Sequence, residues 1–332
     1  MDNYQVLFIL TITKIINYVN DQELEAIKFH KILTGEYIRM ITKKFQTSIN
    51  SVLLLLGLTF LLSIFHAIAF AVDINVALME STFKIMGPSK EDPKKFSTGT
   101  MFVVGRPLKS APTKAHMVMV TAAHVLDSIP GDDAVIILRK KESDGSSKRF
   151  PFPIKIRENG KPLFVQHATA DVVAMYLKLP DDLKPSVIPI DLLADDKIFE
   201  KYEIHPGDEL LSLGYPFTAE ANEAGFPILR SGKIASYPIT PAKTVKTFLF
   251  DFRIFPGNSG GPVYMGYTNR QYHNNINLGE SIQYIAGLVS QEAKSLPEFS
   301  SQPLALAVVT PAQFIKETIN LLPEPDSESV KK

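Results

Sequence analysis

Short apolar runs separated by turn residues recur along most of the chain, from about residue 98 to residue 310. Each run is three to six residues long, as is typical of β-strands, and few helical patterns lie between them. Regular strands at this spacing indicate a sandwich or a barrel. The runs are 100–104, 117–121, 134–138, 172–176, 210–213, 248–250, 284–289 and 304–309.

One run near the start is different, because residues 51–72 contain no Lys, Arg, Asp or Glu and are long enough to span a bilayer. Met40-Ile-Thr-Lys-Lys precedes this run, and the small-x-small pattern Ala69-Phe-Ala71 ends it. Read from Met40, the segment is a secretory signal peptide, and residues 1–50 are a leader. The alternatives are an uncleaved anchor, with residues 1–50 cytoplasmic, and a buried core helix. The first two interpretations both place the chain after residue 72 outside the cytoplasm, either periplasmic or secreted.

A helix is predicted at the other end of the chain, over 311–322. Thr310 can cap it, Pro311 suits its first position, and Gln313 completes a capping box. A polar tail, 323–332, follows. The stretch 178–202 is rich in Pro and Asp and is the candidate linker between two halves.

Composition narrows the class of protein. The 332 residues carry 35 Lys and Arg against 35 Asp and Glu, so no basic excess is available for nucleic acid. The chain has no cysteine, which excludes disulfides, thiolate catalysis and Cys-ligated metals. Its 45% hydrophobic content is that of a folded protein.

The segment Pro256-Gly-Asn-Ser-Gly-Gly-Pro262 is the candidate nucleophile site. Glycine on both sides of Ser259 lets the backbone fold tightly, so that Oγ projects and N–H groups converge. A glycine-rich surface turn is the simpler alternative. The α/β-hydrolase elbow is excluded, because only His273 follows Ser259, with no Asp or Glu between, and the next residues resemble a strand.

Another known chain order of a catalytic triad is His, Asp, Ser, in which both partners of Ser259 lie before it in the sequence. His124 follows a predicted strand within Thr121-Ala-Ala-His124, and Asp171 opens the strand Asp171-Val-Val-Ala. A carboxylate at a strand edge can hold an imidazole N–H. Each residue has a structural alternative: a buried histidine with satisfied hydrogen bonds, and a solvated aspartate at a strand start.

These three motifs together resemble the trypsin/chymotrypsin-fold serine proteases, and the resemblance extends over about 76–322. Strand segments that include Gly214-Tyr-Pro and Gly287-Leu-Val-Ser290 are also similar. The resemblance implies an all-β fold of two six-stranded antiparallel barrels, at about 76–185 and 203–310, with a C-terminal helix. It implies a catalytic triad of His124, Asp171 and Ser259.

The same resemblance assigns further roles. The backbone N–H groups of Gly257 and Ser259 form the oxyanion hole, and Ser290 supports the aspartate. No metal or organic cofactor is implied. The primary pocket is expected to involve Arg253, Ile254, Phe255, Val289, Ser290 and Glu292. Ile254 and Val289 favour aliphatic side chains, whereas Arg253 either favours acidic ones or pairs with Glu292.

The chain looks most like the bacterial, disulfide-free branch related to Deg/HtrA proteases. Asn258 stands where animal digestive enzymes carry the Asp that binds a new N-terminal ammonium, so activation by that route is not expected. Only about ten residues follow the predicted helix, so the substrate capture by a PDZ domain that is common in this branch is not expected, and oligomerisation is left open.

The expected function is an exported serine endopeptidase acting on polypeptides, with membrane contact only through an uncleaved N-terminal segment. The alternatives are a proteolytically silent or latent binding module of the same fold and a membrane-tethered sensor protease.

Overall fold

The computed structural model describes residues 10–11, 13–15, 17–18, 73–108, 111–273, 275–293 and 304–324. Residues 72–332 form one compact unit, and residues 1–71 form another. The predicted signal or anchor segment at 51–72, most of the predicted leader at 1–50 and most of the tail lie outside the described residues. No described helix is both long and apolar enough to cross a bilayer.

The described part of the larger unit is mostly strand. Its helices are α1 (Ile74–Ser81), α2 (Ala123–Asp127), α3 (Asp196–Lys201), α4 (Ala242–Val245) and α5 (Ala312–Leu321). The strands of its first half are β1 (Thr82–Pro88), β2 (Phe96–Leu108), β3 (Ala111–Thr121), β4 (Asp133–Lys141), β5 (Ser147–Lys155), β6 (Arg157–Glu158), β7 (Lys161–Pro162), β8 (Val165–Gln166), β9 (Val173–Tyr176) and β10 (Ile188–Pro189). Those of its second half are β11 (Glu209–Gly214), β12 (Ile228–Ile234), β13 (Phe248–Asp251), β14 (Pro262–Tyr272), β15 (Asn275–Glu292) and β16 (Ala307–Pro311).

The second half is a closed barrel of six antiparallel strands in the order β11-β12-β13-β16-β15-β14. The first half has an eight-stranded sheet in the order β5-β4-β1-β2-β3-β9-β8, with β10 paired in parallel to β2, and a separate two-stranded sheet of β6 and β7. The mostly β fold with a C-terminal helix agrees with the prediction, and the second barrel has the expected six strands. The first half has more strands than expected, and its strand path stays open. One edge is β5, where Pro151 and Pro153 cannot donate to a further strand, and the other is the two-residue β8.

Two clusters of buried side chains stabilise the unit. One lies within the first sheet and extends to α1 and α5, and the other fills the barrel. Residues of β14 and β15, including Tyr264 and Leu288, belong to the first cluster, so the two halves share apolar contacts. The catalytic candidates lie on the segments that connect these strands, with His124 in α2.

The C-terminal helix is present, but its start differs from the prediction. Pro311 is the cap residue and α5 begins at Ala312, with no side-chain hydrogen bond at the cap. Thr310 is buried at the end of β16, and Gln313 Nε2 donates to Glu317 Oε1 instead of closing a capping box. Thr310 is therefore part of the sheet and is not the helix cap that the local pattern predicted.

Candidate active site

His124 is placed by a short helix directly after a buried strand. β3 ends at Thr121, Ala122 has extended backbone, and α2 starts at Ala123. Both alanines are almost fully buried, and Val125 packs where a side chain on Gly99 of β2 would lie. Small residues therefore let this turn pack tightly, while the imidazole of His124 stays 48% exposed.

Asp171 stands two residues before β9 and faces this histidine. Its Oδ1 accepts from the backbone N–H of His124 at 3.0 Å, and its Oδ2 lies 2.7 Å from His124 Nδ1. The hydroxyl of Ser290, in β15, donates to the same Oδ2 at 2.5 Å. Burial disfavours the charged form of Asp171, but the hydrogen bonds from His124 and Ser290 outweigh it and lower the pKa of the carboxyl. Asp171 is therefore a carboxylate that holds the proton of His124 on Nδ1 and leaves Nε2 as an acceptor.

Ser259 lies on the turn between β13 and β14, which glycines and Thr100 hold in place. Gly257 and Gly260 have φ of +98° and +85°, which favour glycine. Thr100 Oγ1 donates to Gly257 O at 2.6 Å, and Thr100 N donates to Ser259 O at 2.8 Å. The turn is thus fixed from both sides of the nucleophile candidate.

The Ser259 hydroxyl donates to the backbone carbonyl of Ser290 at 3.1 Å. No hydrogen bond between this hydroxyl and His124 is present among the described residues. Ser290 therefore bridges the site, since its side chain contacts Asp171 and its carbonyl accepts from Ser259. A hydrogen bond between a nucleophile and its catalytic base, such as Ser259 to His124, is commonly long or absent until substrate binds.

The backbone N–H groups of Gly257 and Ser259 lie on the same turn. Within the described part of the chain, no carbonyl accepts from either group, whereas Asn258 N donates to Phe255 O and Gly260 N donates to Val289 O. Two unpaired donors on one tight turn can stabilise a negative oxygen.

Comparison with known proteins identifies the family. Residues 98–270, more than half of the chain, match the model of the trypsin-like peptidase domain. The chain belongs to this family. The match begins in β2 and ends in β14, so it includes all three candidate residues.

Two solved structures are similar to this peptidase. One is the protease Anisep from Arthrobacter nicotinovorans, at 14% identity and a TM-score of 0.42, with 74% of this chain and 95% of that chain covered. The other is the active form of the Rv3671c protease from M. tuberculosis, at 15% identity and a TM-score of 0.39, with 74% and 82% covered. No curated protein matches the chain. Because both TM-scores are below 0.5, family membership rests on the domain match.

The expected pocket residues have different environments in the peptidase. Arg253 and Glu292 are exposed, Ile254 and Phe255 are half-buried, and no ion pair joins Arg253 to Glu292 in the part of the chain that the structure describes. Val289 has no exposed surface and packs in the barrel core. The side chain of Val289 is therefore not accessible to a substrate and does not support the aliphatic preference inferred from it.

One residue beside the site was missed from the sequence. The guanidinium of Arg230, in β12, lies 4.2 Å from the Phe252 ring centre and 5.4 Å from that of Phe255. Its Nη1 donates to Arg253 O at 2.6 Å, and the Arg253 guanidinium lies 5.3 Å from the same Phe255 ring centre. Nothing in the segment 228–234 signals this contact, because it depends on the pairing of β12 with β13, which local pattern does not reveal.

No group of three or more His, Asp or Glu residues that could hold a metal ion occurs among the residues described.

Proposed function

We propose that this peptidase is an exported serine endopeptidase that cleaves polypeptides through an acyl-enzyme. The observation that carries the proposal is the connected set Ser259, Ser290, Asp171 and His124, in which the carboxylate fixes the imidazole and Ser290 links it to a serine on a tight turn. The family match and the two unpaired N–H groups of the turn support the same chemistry.

The proposed reaction begins when the Ser259 hydroxyl turns from the Ser290 carbonyl toward His124 Nε2. As Oγ bonds to the peptide carbonyl carbon, its proton passes to Nε2, and the carbonyl electron pair moves onto oxygen. The N–H groups of Gly257 and Ser259 stabilise that oxyanion, with each donor worth about 3–4 kcal/mol.

Breakdown of this intermediate completes the first half of the reaction. His124 donates its proton to the leaving nitrogen as the C–N bond breaks, and the acyl-enzyme remains. Water then attacks the ester with His124 again as base, releasing the acid and restoring Ser259. Asp171 stabilises the charged imidazole throughout and stays ionised.

Activation by insertion of a new N-terminus is not part of the proposal. Asn258 is 2% exposed, and neither its side-chain nitrogen nor its oxygen has a hydrogen-bond partner among the described residues. A neutral amide cannot form the ion pair with an ammonium that the corresponding aspartate forms.

For substrate preference, we propose acidic side chains near the scissile bond. Arg230 and Arg253 flank Phe255, two residues before Gly257 of the oxyanion turn. Burial, then the neighbouring charge of Arg253, lowers the pKa of Arg230, and no carboxylate among the described residues forms an ion pair with either arginine. A substrate carboxylate would supply the missing negative charge.

Export stays a proposal from the sequence of 51–72. N-terminal sequencing of the protein recovered from cells tests it. A start near Val72 supports a cleaved signal, whereas a start at Met1 or Met40 supports the tethered alternative.

Fluorophosphonate labelling of the purified full-length chain, read by intact mass, tests the central proposal. We expect one adduct on the wild type, one on the exposed control Ser146→Ala, and none on Ser259→Ala. An adduct on Ser259→Ala would reject Ser259 as the nucleophile. A folded wild type that takes no label would favour the silent or latent binding module.

A further inference from the structure

The loop that joins β11 to β12, residues 215–227, forms one wall of the oxyanion turn. Phe217 N donates to Pro256 O at 2.7 Å, and a side-chain carbon placed on Gly257 would lie 2.1 Å from Tyr215 O. The position of Gly257, and so the aim of its N–H, depends on the position of this loop backbone.

The backbone of this loop is strained at two neighbouring residues. Phe217 and Thr218 both lie in the left-handed region, with φ of +51° and +66°. Non-glycine residues in this region are strained and persist only where surrounding contacts hold them. Phe217 is 65% exposed, so its side chain cannot supply all of that restraint.

A buried ionic cluster supplies further restraint on this strained backbone. Glu220 of the loop lies between Lys84 of β1, at 2.5 Å, and Arg149 of β5. The side chains of Glu220 and Lys84 are only 6% and 10% exposed, and Lys84 Nζ also donates to Thr218 O at 3.1 Å. Burial, then the charge of Arg149, lowers the pKa of Lys84. The cluster therefore ties the strained residue Thr218 to the first sheet.

A second set of contacts fixes the ends of the same loop. The Tyr215 hydroxyl donates to Thr82 O and Gly225 O, at 3.2 and 3.1 Å. Arg139 of β4 donates to the same two carbonyls. With the ends held in this way, the ionic cluster acts on the middle of the loop, which contacts Pro256.

We propose that Glu220 is a positioning residue for catalysis. With Lys84 and Arg149 it holds the loop against the oxyanion turn, and this internal ion cluster replaces the ammonium–carboxylate pair that Asn258 cannot make. The effect on catalysis rests on the proposed function, whereas the mechanical coupling between cluster and turn does not.

Glu220→Gln in the full-length chain tests the proposal, with two readouts. Hydrogen exchange followed by mass spectrometry reports the backbone of 254–260, and fluorophosphonate labelling with peptide hydrolysis reports the site. The matched control is Glu142→Gln, which removes an exposed pair with Lys148 at 3.7 Å. Arg149→Gln is the milder variant, because Arg149 is 47% exposed and its loss leaves the Lys84 pair in place.

We expect Glu220→Gln to speed exchange in 215–227 and 254–260 and to lower kcat and the labelling rate by about 10- to 100-fold, as for an impaired oxyanion donor. KM should change less than about twofold, since the lost stabilisation belongs to the transition state. Arg149→Gln should show the same changes to a smaller extent, and Glu142→Gln should show none.

The outcomes separate the two proposals. If the wild type takes no label but Glu220→Gln still loosens 254–260, the catalytic proposal fails and the coupling stands. If folded Glu220→Gln and Arg149→Gln both keep wild-type exchange in 254–260 and wild-type kcat, the positioning role is rejected.

Discussion

Gly260→Ala examines how tightly the nucleophile turn is packed. A Cβ on Gly260 would lie 2.1 Å from Thr100 O and 2.2 Å from Thr121 Oγ1, and the residue has a φ of +85°. The left-handed backbone costs an alanine about 1–2 kcal/mol. Displacing the two contacts costs about 1–3 kcal/mol more, as for an overpacked core. We therefore expect the free energy of unfolding to fall by about 2–5 kcal/mol.

The clash also acts on catalysis, because relief requires movement of Thr100, whose N–H holds Ser259 O at 2.8 Å. A shift of about 1 Å at the site can cost about 100-fold in rate. Urea unfolding and the fluorophosphonate labelling rate measure the two effects. Gly145→Ala is the control, since Gly145 has a similar φ of +82° and nothing within 4 Å. Equal destabilisation of the two variants, with wild-type labelling for Gly260→Ala, would refute the packing argument.

The remaining predictions concern three other features. Asp171→Asn should keep the fold and lower kcat by about four decades, because the imidazole loses its orienting carboxylate; an unchanged steady-state rate would mean that another acid serves. Because the pKa of Asp171 is lowered on folding, its stabilisation is present above the ordinary value of 3.8 and lost as pH falls below it, so urea unfolding should show less acid-induced loss for Asp171→Asn than for the wild type. Arg139→Lys should reduce unfolding free energy by about 2–4 kcal/mol, since Arg139 donates to four carbonyls between two phenylalanine rings; chemical denaturation with a wild-type midpoint would contradict this. Arg253→Met with Arg230→Met should lower kcat/KM for peptides with Glu or Asp before the scissile bond by about 10-fold or more, with alanine peptides unaffected; equal losses for both peptide sets would reject the acidic preference.

Much of the architecture follows from local pattern. The apolar runs at 117–121 and 172–176 lie in β3 and just before and within β9, because a short continuous apolar run is the local pattern of a strand buried on both faces. By contrast β5, with its charged residues and two prolines, has no such pattern, and it is a strand because β4 pairs with it along its full length. An edge strand tolerates this sequence, which is why pattern alone could not find it.

Local sequence was enough to predict the candidate residues and the turns that present them: glycines around Ser259, alanines before His124, and an aspartate just before β9. Tertiary structure decided which of them meet. Ser290 and Asp171 are 119 residues apart, and Lys84 is 134 residues from the loop carbonyl it binds. A strand's periodicity tells which face a side chain takes but not which strand will lie opposite, since register and partner come from packing across the whole unit. For that reason Ser259, His124 and Asp171 could be named from the chain alone. The ionic cluster at Glu220 and the two arginines beside Phe255 emerged only from the folded protein.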